Sequence, residues 1–280
     1  MPNVSVEPLG LRHAHVFVTD PVDRVLAMPY AVEAAWVTPD FCQEVLYLHC
    51  LVPARIAKEF VALAEAFGAS TRVVWSSSGW QQFLLEEEPM QLPLPVGDLE
   101  ESEILRRLPF VVPAMMELWT YPNSLPVIWQ RIRARLGKNV KAYLPRTKVR
   151  YVNGKTHVTQ AFGLLQNEGL VRQQLIRYHP LLAVSVEVFL LIRQDREETM
   201  RILDVLRWCL HAVESYPTTD GYWCRLLGPH RLLDAIMNLP SQVRSQCGLV
   251  YFHTKRHPTP IVRFGYEAVF DVASRTWRTA

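Results

Sequence analysis

The sequence predicts an α+β protein in which two β-α-β-β-α-β sandwiches of ferredoxin-like type flank a winged helix-turn-helix module. Two observations predict it. Strand-like alternation and one-faced helical runs follow each other in the same order twice, over residues 11–75 and 185–254. Between them, residues 121–180 carry eleven Lys/Arg against a single acid, Glu168, so this stretch holds about +10 and the rest of the chain about −7.

In the first copy, residues 11–20 read as a strand, with a short helical piece at 21–28. Residues 30–38 alternate like a strand, Thr38-Pro39-Asp40 turns the chain, and 44–52 form the next strand. Ile56, Phe60, Leu63 and Phe67 share one face of a helix over 54–67 that Gly68 stops, and 71–75 are the last strand. In the second copy, 185–192 are a strand, and Asp195 with Glu198 three residues on forms an N-cap pair of capping-box type. The helix then runs to about 211 through Met200, Leu203 and Leu210. Strands at 212–218 and 222–228 surround the turn Thr219-Asp220-Gly221, and a helix at 230–239 and a strand at 248–254 complete the order. The copies align at Ala31-Val32-Glu33 with Ala212-Val213-Glu214, and Pro53 and Pro229 each precede the second helix.

Each sandwich covers one sheet face with helices and leaves one over. The left-over faces predict a homodimer, with internal pairing of the two copies as the competing arrangement. Residues 86–99, acidic and carrying Pro89, Pro93 and Pro95, read as a linker, and 261–270 as a strand pair covering a sheet edge. The expected units are 1–88 (first sandwich), 89–104 (linker), 105–180 (basic module), 181–256 (second sandwich) and 257–280 (extension).

Helices at 98–108 and 111–119 lead into the basic module. Ser124-Leu125-Pro126 opens its next helix, with Leu125, Ile128, Ile132 and Leu136 on one face and Gly137 at the end. A further helix starts near Gly154 and ends at Asn167-Glu168-Gly169. Val158, Ala161, Phe162 and Leu165 make its apolar stripe; Thr156, Thr159, Gln160 and Gly163 make an uncharged polar face able to approach base edges. Residues 170–172 and 175–177 read as a wing hairpin. So dense a positive block calls for a polyanion, and nucleic-acid phosphate is the usual one. The candidate contacts to double-stranded DNA are Arg131, Arg133, Arg135, Lys138, Lys141, Arg146, Lys148, Arg150, Lys155, Thr156, His157, Thr159, Gln160, Arg172 and Arg177. The plain alternative is a solvated surface, but such a face mixes Glu with Lys.

Composition bounds the rest. Over 280 residues the chain is 49% apolar and 20% charged, which are globular values. No run approaches eighteen apolar residues, so no membrane span is expected. Residues 1–7 lack the basic-then-apolar order of a signal peptide. The five scattered cysteines contain no Cys-x-x-Cys and read as reduced thiols, so a cytoplasmic location is expected.

The run from Gly154 through Phe162 to Leu170, with its Asn-Glu-Gly-Leu exit, resembles the recognition helix of the leucine-responsive regulator/AsnC family of transcription factors. The Val213-Glu214 strand and the Thr219-Asp220-Gly221-Tyr222 turn are similar to that family's sensor domain. The resemblance covers about residues 105–255 and implies a DNA-binding regulator. It also implies a small-molecule effector where sensor loops meet, near Thr38, Asp40, Thr219, Asp220 and Tyr222. The chain departs from the family in its additional N-terminal sandwich and in the long connection at 137–152, where 139–144 read as an extra helical turn.

Signals for chemistry are sparse. Gly154-Lys155-Thr156 ends like a phosphate loop, but Val149 stands where the first glycine belongs. His13 and His15 share a strand face without further ligands at metal-binding spacing, so they read as core or surface histidines. His253 and His257 straddle a strand end. Ser76-Ser77-Ser78-Gly79 resembles a nucleophile loop in composition alone. No metal, no cofactor and no catalysis are expected. The enzymatic alternative rests on a second resemblance: siroheme decarboxylases share the two-module build, with the basic module as scaffold and sensor-domain His and Arg holding substrate carboxylates. His211, His230 and Arg225 would fill those roles. A non-DNA-binding assembly module is the remaining class.

Overall fold

The computed structural model describes residues 3–39, 43–84, 90–94, 103–120, 125–144, 154–168, 171–172, 186–253 and 260–278. It is an α+β fold built on antiparallel strands. β1 (Asn3–Val4) precedes β2 (Leu11–Thr19), β3 (Ala31–Thr38) and β4 (Val45–Pro53). α1 (Ala57–Glu65), β5 (Ser70–Ser76) and β6 (Trp80–Phe83) follow. The helical module comprises α2 (Ile104–Arg107), α3 (Val111–Thr120), α4 (Leu125–Leu136), α5 (Val140–Tyr143) and α6 (Gly154–Asn167), then β7 (Val171–Arg172). The second half holds β8 (Val186–Ile192), α7 (Arg196–Leu206), β9 (Ala212–Pro217), β10 (Tyr222–Gly228), α8 (Arg231–Met237), α9 (Ser241–Gln246) and β11 (Cys247–His253). α10 (Tyr266–Val269), β12 (Phe270–Asp271) and β13 (Thr276–Trp277) end the described chain.

One sheet of nine strands runs β5-β2-β4-β3-β11-β8-β10-β9-β6. Each half therefore has the order fourth, first, third, second, and the repeat seen in the sequence is a repeat of strand order. The halves join through a short seam, Thr38 with Phe252 and Val37 with His253. β6, which the sequence reading did not foresee, pairs with β9. Residues 77–79 connect it to β5 at the opposite end of the sheet order, and Ser77 donates its N–H to Pro217 O. Gly79 makes this closure possible, since a Cβ there would lie 2.4 Å from the Tyr216 ring.

The sheet so folds back on itself that rings far apart in strand order touch. Phe17 of β2 lies 5.3 Å from Trp223 of β10 and 4.5 Å from Tyr251 of β11, centroid to centroid. Phe17, Val37, Tyr47, Phe189, Leu191 and Trp223 form an apolar cluster between the halves. The faces whose exposure motivated the homodimer expectation are covered by one another, as in the competing arrangement. With a neighbour on both faces, β4 is buried at all nine positions and shows no alternation.

The helices α3, α4 and α6 share one core with the outer face of the first half, centred on Phe110, Val111, Met115, Ile128, Ile132 and Val158. α4 ends at Gly137, whose φ of 54° suits glycine. Asp195 caps α7 by accepting from the Glu198 N–H at 2.9 Å, as its spacing predicts. Two expectations are corrected. β7 of the wing pairs with the N-terminal β1, Val171 with Val4 and Arg172 with Asn3, while residues 175–177 lie outside the described residues. The C-terminal segment is no edge strand: it folds as α10 with the short β12–β13 pair and enters the module core through Phe264, Tyr266, Phe270 and Trp277. The Trp277 indole N–H donates to Leu9 O at 2.6 Å.

Glu117 of α3 ties this segment down. Its carboxylate is fully buried and faces Arg135 at 3.4 Å, Arg131 at 3.9 Å and Arg263. Arg135 also meets Glu267 at 2.6 Å, donates to Phe264 O and stacks over the Tyr266 ring at 4.1 Å. Removing one member strands the others in a medium that solvates them poorly. Glu117→Ala is therefore expected to cost about 3–5 kcal/mol in urea denaturation. Arg201→Ala, whose Glu197 and Glu198 partners lie on the exposed face of α7, should cost no more than about 1 kcal/mol. Equal losses would refute the assignment.

Candidate active site between the two half-sheets

Alternation along β2 sends His13 and His15 to the inner face of the folded sheet, and the β2–β4 register sets His49 opposite His15. All three rings are buried, at 0%, 0% and 3% exposure. His13 Nδ1 lies 2.8 Å from His49 Nε2. His13 Nε2 is 3.4 Å from Ser78 Oγ, and Ser78 Oγ is 2.5 Å from a Glu7 carboxylate oxygen. His15 is held at both nitrogens, Nδ1 to the Tyr47 hydroxyl and Nε2 to Ser76 Oγ, each at 2.9 Å. The second half closes the group: the Tyr216 ring lies 5.0 Å from His15 and 5.4 Å from His13, and Trp223 lies 5.2 Å from His15. The Trp223 indole N–H is buried with no hydrogen-bond partner among the described residues.

Beside the rings, Arg225 of β10 meets Glu33 and Glu187 at 2.9 Å each and Glu214 at 3.6 Å. Burial alone would lower its pKa, but the three carboxylates outweigh that and hold it well above the ordinary value. Burial pushes Glu214 up, against the pull of Arg225. Burial takes His13 down to about 3. His15 and His49 fall well below the ordinary histidine value, each first through burial, then His15 through His49 and His13, and His49 through His13 and Arg225. Burial raises Tyr47 and Tyr216 well above the ordinary phenol value. The seam thus holds neutral imidazoles and phenols, able to give or take a proton, in low-dielectric surroundings.

The residues predicted from sequence are placed otherwise. Arg135, with 8% of its side chain exposed, is spent on Glu117 and Glu267, and Arg131 also faces Glu117. His157 is buried against Phe110 and Trp129, which removes it from any base-reading role. Arg133, Lys138, Lys141, Thr156, Thr159 and Gln160 are exposed. Lys155 lies in α6 and Arg172 in β7; Arg146, Lys148, Arg150 and Arg177 lie outside the described residues.

The two effector loops do not converge. Thr38 is buried in register with Phe252 and Val188, whereas Tyr222 pairs with Ile192, four residues further along β8. Tyr222 donates its hydroxyl to Pro93 O, Asp220 pairs with Arg193 at 3.4 Å, Thr219 is exposed, and Asp40 lies outside the described residues. His211 and His230 stand at the far end of the second half, where Ala212 pairs with Leu227, four residues from Tyr216 and Trp223. Arg225 does face the seam, but three glutamates already occupy it. The reading as core histidines holds for His13 and His15, while His49, Tyr47, Ser78 and Glu7 were missed. The spacing Tyr47-x-His49 on an alternating strand, mirroring His13-x-His15, was the available signal.

No protein-family model matches the chain, and neither does any curated protein. Two solved structures align with the chain. The siroheme decarboxylase NirDL aligns at 13% identity and a TM-score of 0.49, over 95% of this chain and 79% of that one. An anthrone oxidase-like protein aligns at 9% identity and a TM-score of 0.34, over 92% of this chain and 96% of that one. The expectation that the chain is not an enzyme is corrected here to the extent that the first of these neighbours is itself an enzyme. At these values the likeness itself assigns no activity. Among the described residues no helix is long and apolar enough to cross a membrane.

The neutral histidines make stability pH-dependent. Unfolded, each binds a proton near pH 6.5, whereas the folded chain keeps His13 neutral down to about pH 3. Stability is therefore complete above the unfolded value and falls as pH drops below it, by up to about 1.4 kcal/mol per pH unit for each such histidine. Urea midpoints between pH 5 and 8 should show this slope, and His13→Gln should reduce it by about one proton. A flat profile would mean that the rings are solvated.

Proposed function

We propose that the chain is an enzyme that decarboxylates a carboxylate-bearing tetrapyrrole in the seam between its two half-sheets, with the two halves acting as paired ferredoxin-like sensor folds. One observation carries the reading: three neutral histidines and two phenols gathered in a seam to which both halves contribute. The substrate class follows the resemblance of the two-module build to siroheme decarboxylases.

The chemistry suits the place. In decarboxylation the bond from the side-chain carbon to the carboxylate breaks, CO2 leaves, and the electron pair left on carbon takes up a proton. Poorly solvating surroundings raise the energy of the localised carboxylate charge relative to the dispersed charge of the transition state. Preorganised donors then stabilise what develops. The Trp223 N–H is such a donor, and a neutral imidazole such as His49 supplies the proton. Arg225 orients the seam through its glutamates and leaves substrate binding to neutral groups.

Purified protein incubated with an iron tetrapyrrole bearing acetate side chains should give products that have each lost CO2, read by mass spectrometry. His49→Phe should lower kcat by about 10²-fold or more while tetrapyrrole absorbance still reports binding. Absence of both binding and turnover would overturn the reading.

A second reading keeps the duplex-DNA partner and the regulatory role, because Thr156, Thr159 and Gln160 line an exposed, uncharged face of α6 and a Cβ at Gly163 would meet open space. The salt dependence of DNA binding tests it. Its log–log slope should be about −0.9 per phosphate contacted. Arg133→Ala should flatten it by about one unit, and Arg135→Ala, at a buried residue, should leave it unchanged in folded protein. A slope near zero would end this reading.

A further inference from the structure

The two edges of the nine-stranded sheet are unlike. β6 is four residues long, and the chain beyond it is held by Leu84 N–H to His211 O and by Gln91 N–H to the Gln82 side chain. β5 has seven residues and pairs with β2 without a shift of register from Thr19 to His13. Among the described residues no strand pairs with its other edge, and no other backbone group bonds to it. Such a row of unpaired N–H and C=O groups is a template for another strand. β5 carries no proline, no lysine and no bulge, the usual protections of an edge. Its one charged side chain, Arg72, is engaged with the Tyr251 hydroxyl.

The strand is half-buried over most of its length and apolar on both sides. Val73 and Trp75 pack partly against the core shared with the helices, and Val74 against the seam. The chain reverses at residues 66–69, so α1 runs back along β5, with the Phe60 ring 5.8 Å from that of Trp75. Leu63 lies three residues further along α1, about 4.5 Å by the helical rise. In the strand that distance is between one and two residues, which sets Leu63 level with Val73 and Val74. Val61, on one flank of α1, is half-buried, whereas Leu63, on the other, is 45% exposed.

We propose that β5 is the contact through which two copies of this chain pair, edge to edge and antiparallel, about a two-fold axis at Val73. A two-fold contact must be self-complementary, and this strand is. The axis sets Val73 against the second copy's Val73, Thr71 against its Trp75 and Arg72 against its Val74. β-branched and aromatic side chains thus meet across the strands, and no like charges stand directly opposite. The same axis brings the two exposed Leu63 side chains toward each other. This match of each apolar group with its own copy selects a second copy over a foreign strand. Seven residues span about 23 Å, and the sheet and helix layers are together about 20 Å deep. The contact therefore buries on the order of 450 Å² per copy, roughly half of what a stable dimer needs. The pair is a reversible one that forms as concentration rises. It is distinct from a dimer through the left-over sheet faces, which the two halves cover for each other.

Sedimentation equilibrium of the purified chain tests this. The mass should rise from 32.3 kDa at low micromolar protein toward twice that at several hundred micromolar. Amide exchange in the same samples should slow with concentration at alternate residues of β5 and stay unchanged in β6. Val73→Lys and Val73→Glu each place like charges opposite one another across the axis. Each should remain at the single-chain mass with an unchanged circular dichroism spectrum. Mixed in equal amounts, the two should associate again, at least as tightly as wild type. A mass fixed at 32.3 kDa at every concentration would overturn the second copy and leave the edge to a strand of another protein. Association without slower exchange in β5, or a mixture of folded variants that stays as single chains, would overturn it as well. The exchange measurement needs no variant and decides alone if either one misfolds. Turnover enters none of these readings, so the pairing stands or falls apart from the decarboxylase.

Discussion

A sheet covered by helices on one face has to bury the other, and this chain carries both faces needed for that burial. The rest of the structure depends on this constraint. Joining the halves by only two residue pairs between β3 and β11 leaves the sheet free to fold back, and β6 on β9 holds it folded. The apolar part of the contact, Phe17 and Tyr47 against Phe189 and Trp223, supplies the hydrophobic drive. That same contact seals His13, His15 and His49 from water. Their neutrality follows from the sealing.

The pattern of elements was legible because it is local. Period-2 alternation, a proline before each second helix, Gly137 after α4 and Asp195 before α7 are read within a few residues of the structure they cause. The folding of the sheet was not legible, because it rests on pairings far apart in sequence. β6 is only four residues long and pairs with residues 212–215, about 130 positions away. The C-terminal segment misled for the same reason: its apolar residues alternate like a strand, yet Trp277 is anchored by a carbonyl at Leu9. The site suffered most. His13-x-His15 was visible as a pair on one face, but the third ring comes from β4 and the hydroxyls and the carboxylate from residues 7, 47, 76 and 78. Only the register of three strands and one N-terminal turn brings them together.

The basic stretch shows how a charge count parts from charge placement. Counted along the chain, Arg131 and Arg135 belong to a block with one acid in sixty residues. In space they face Glu117 from the preceding helix and, for Arg135, Glu267 from a segment more than a hundred residues away. Window counts assume that neutralising partners are neighbours in sequence, and α3 and α10 lie outside the window. The exposed cations that remain, Arg133, Lys138 and Lys141, make a weaker field than the count implied, and the polar face of α6 became the stronger argument for a nucleic-acid partner.

Stability alone does not account for the seam. An interface between two sheet faces is most simply filled with aliphatic side chains, and here part of it is. Replacing buried ionic groups with apolar ones of similar volume is often neutral or stabilising, so Arg225 and its three glutamates weaken the contact or add little to it. Three histidines kept neutral in a buried site, a Trp223 N–H without a partner, and a carboxylate at the rim of a row of hydrogen bonds extend the same departure from an apolar interface. Such departures gather where a fold gives up stability for chemistry. Here they lie on both halves of one seam, and they include groups that donate and groups that accept. A merely structural polar core would need its hydrogen bonds satisfied, as most of these are. It would not need a buried donor left without a partner beside them, as the Trp223 N–H is among the described residues.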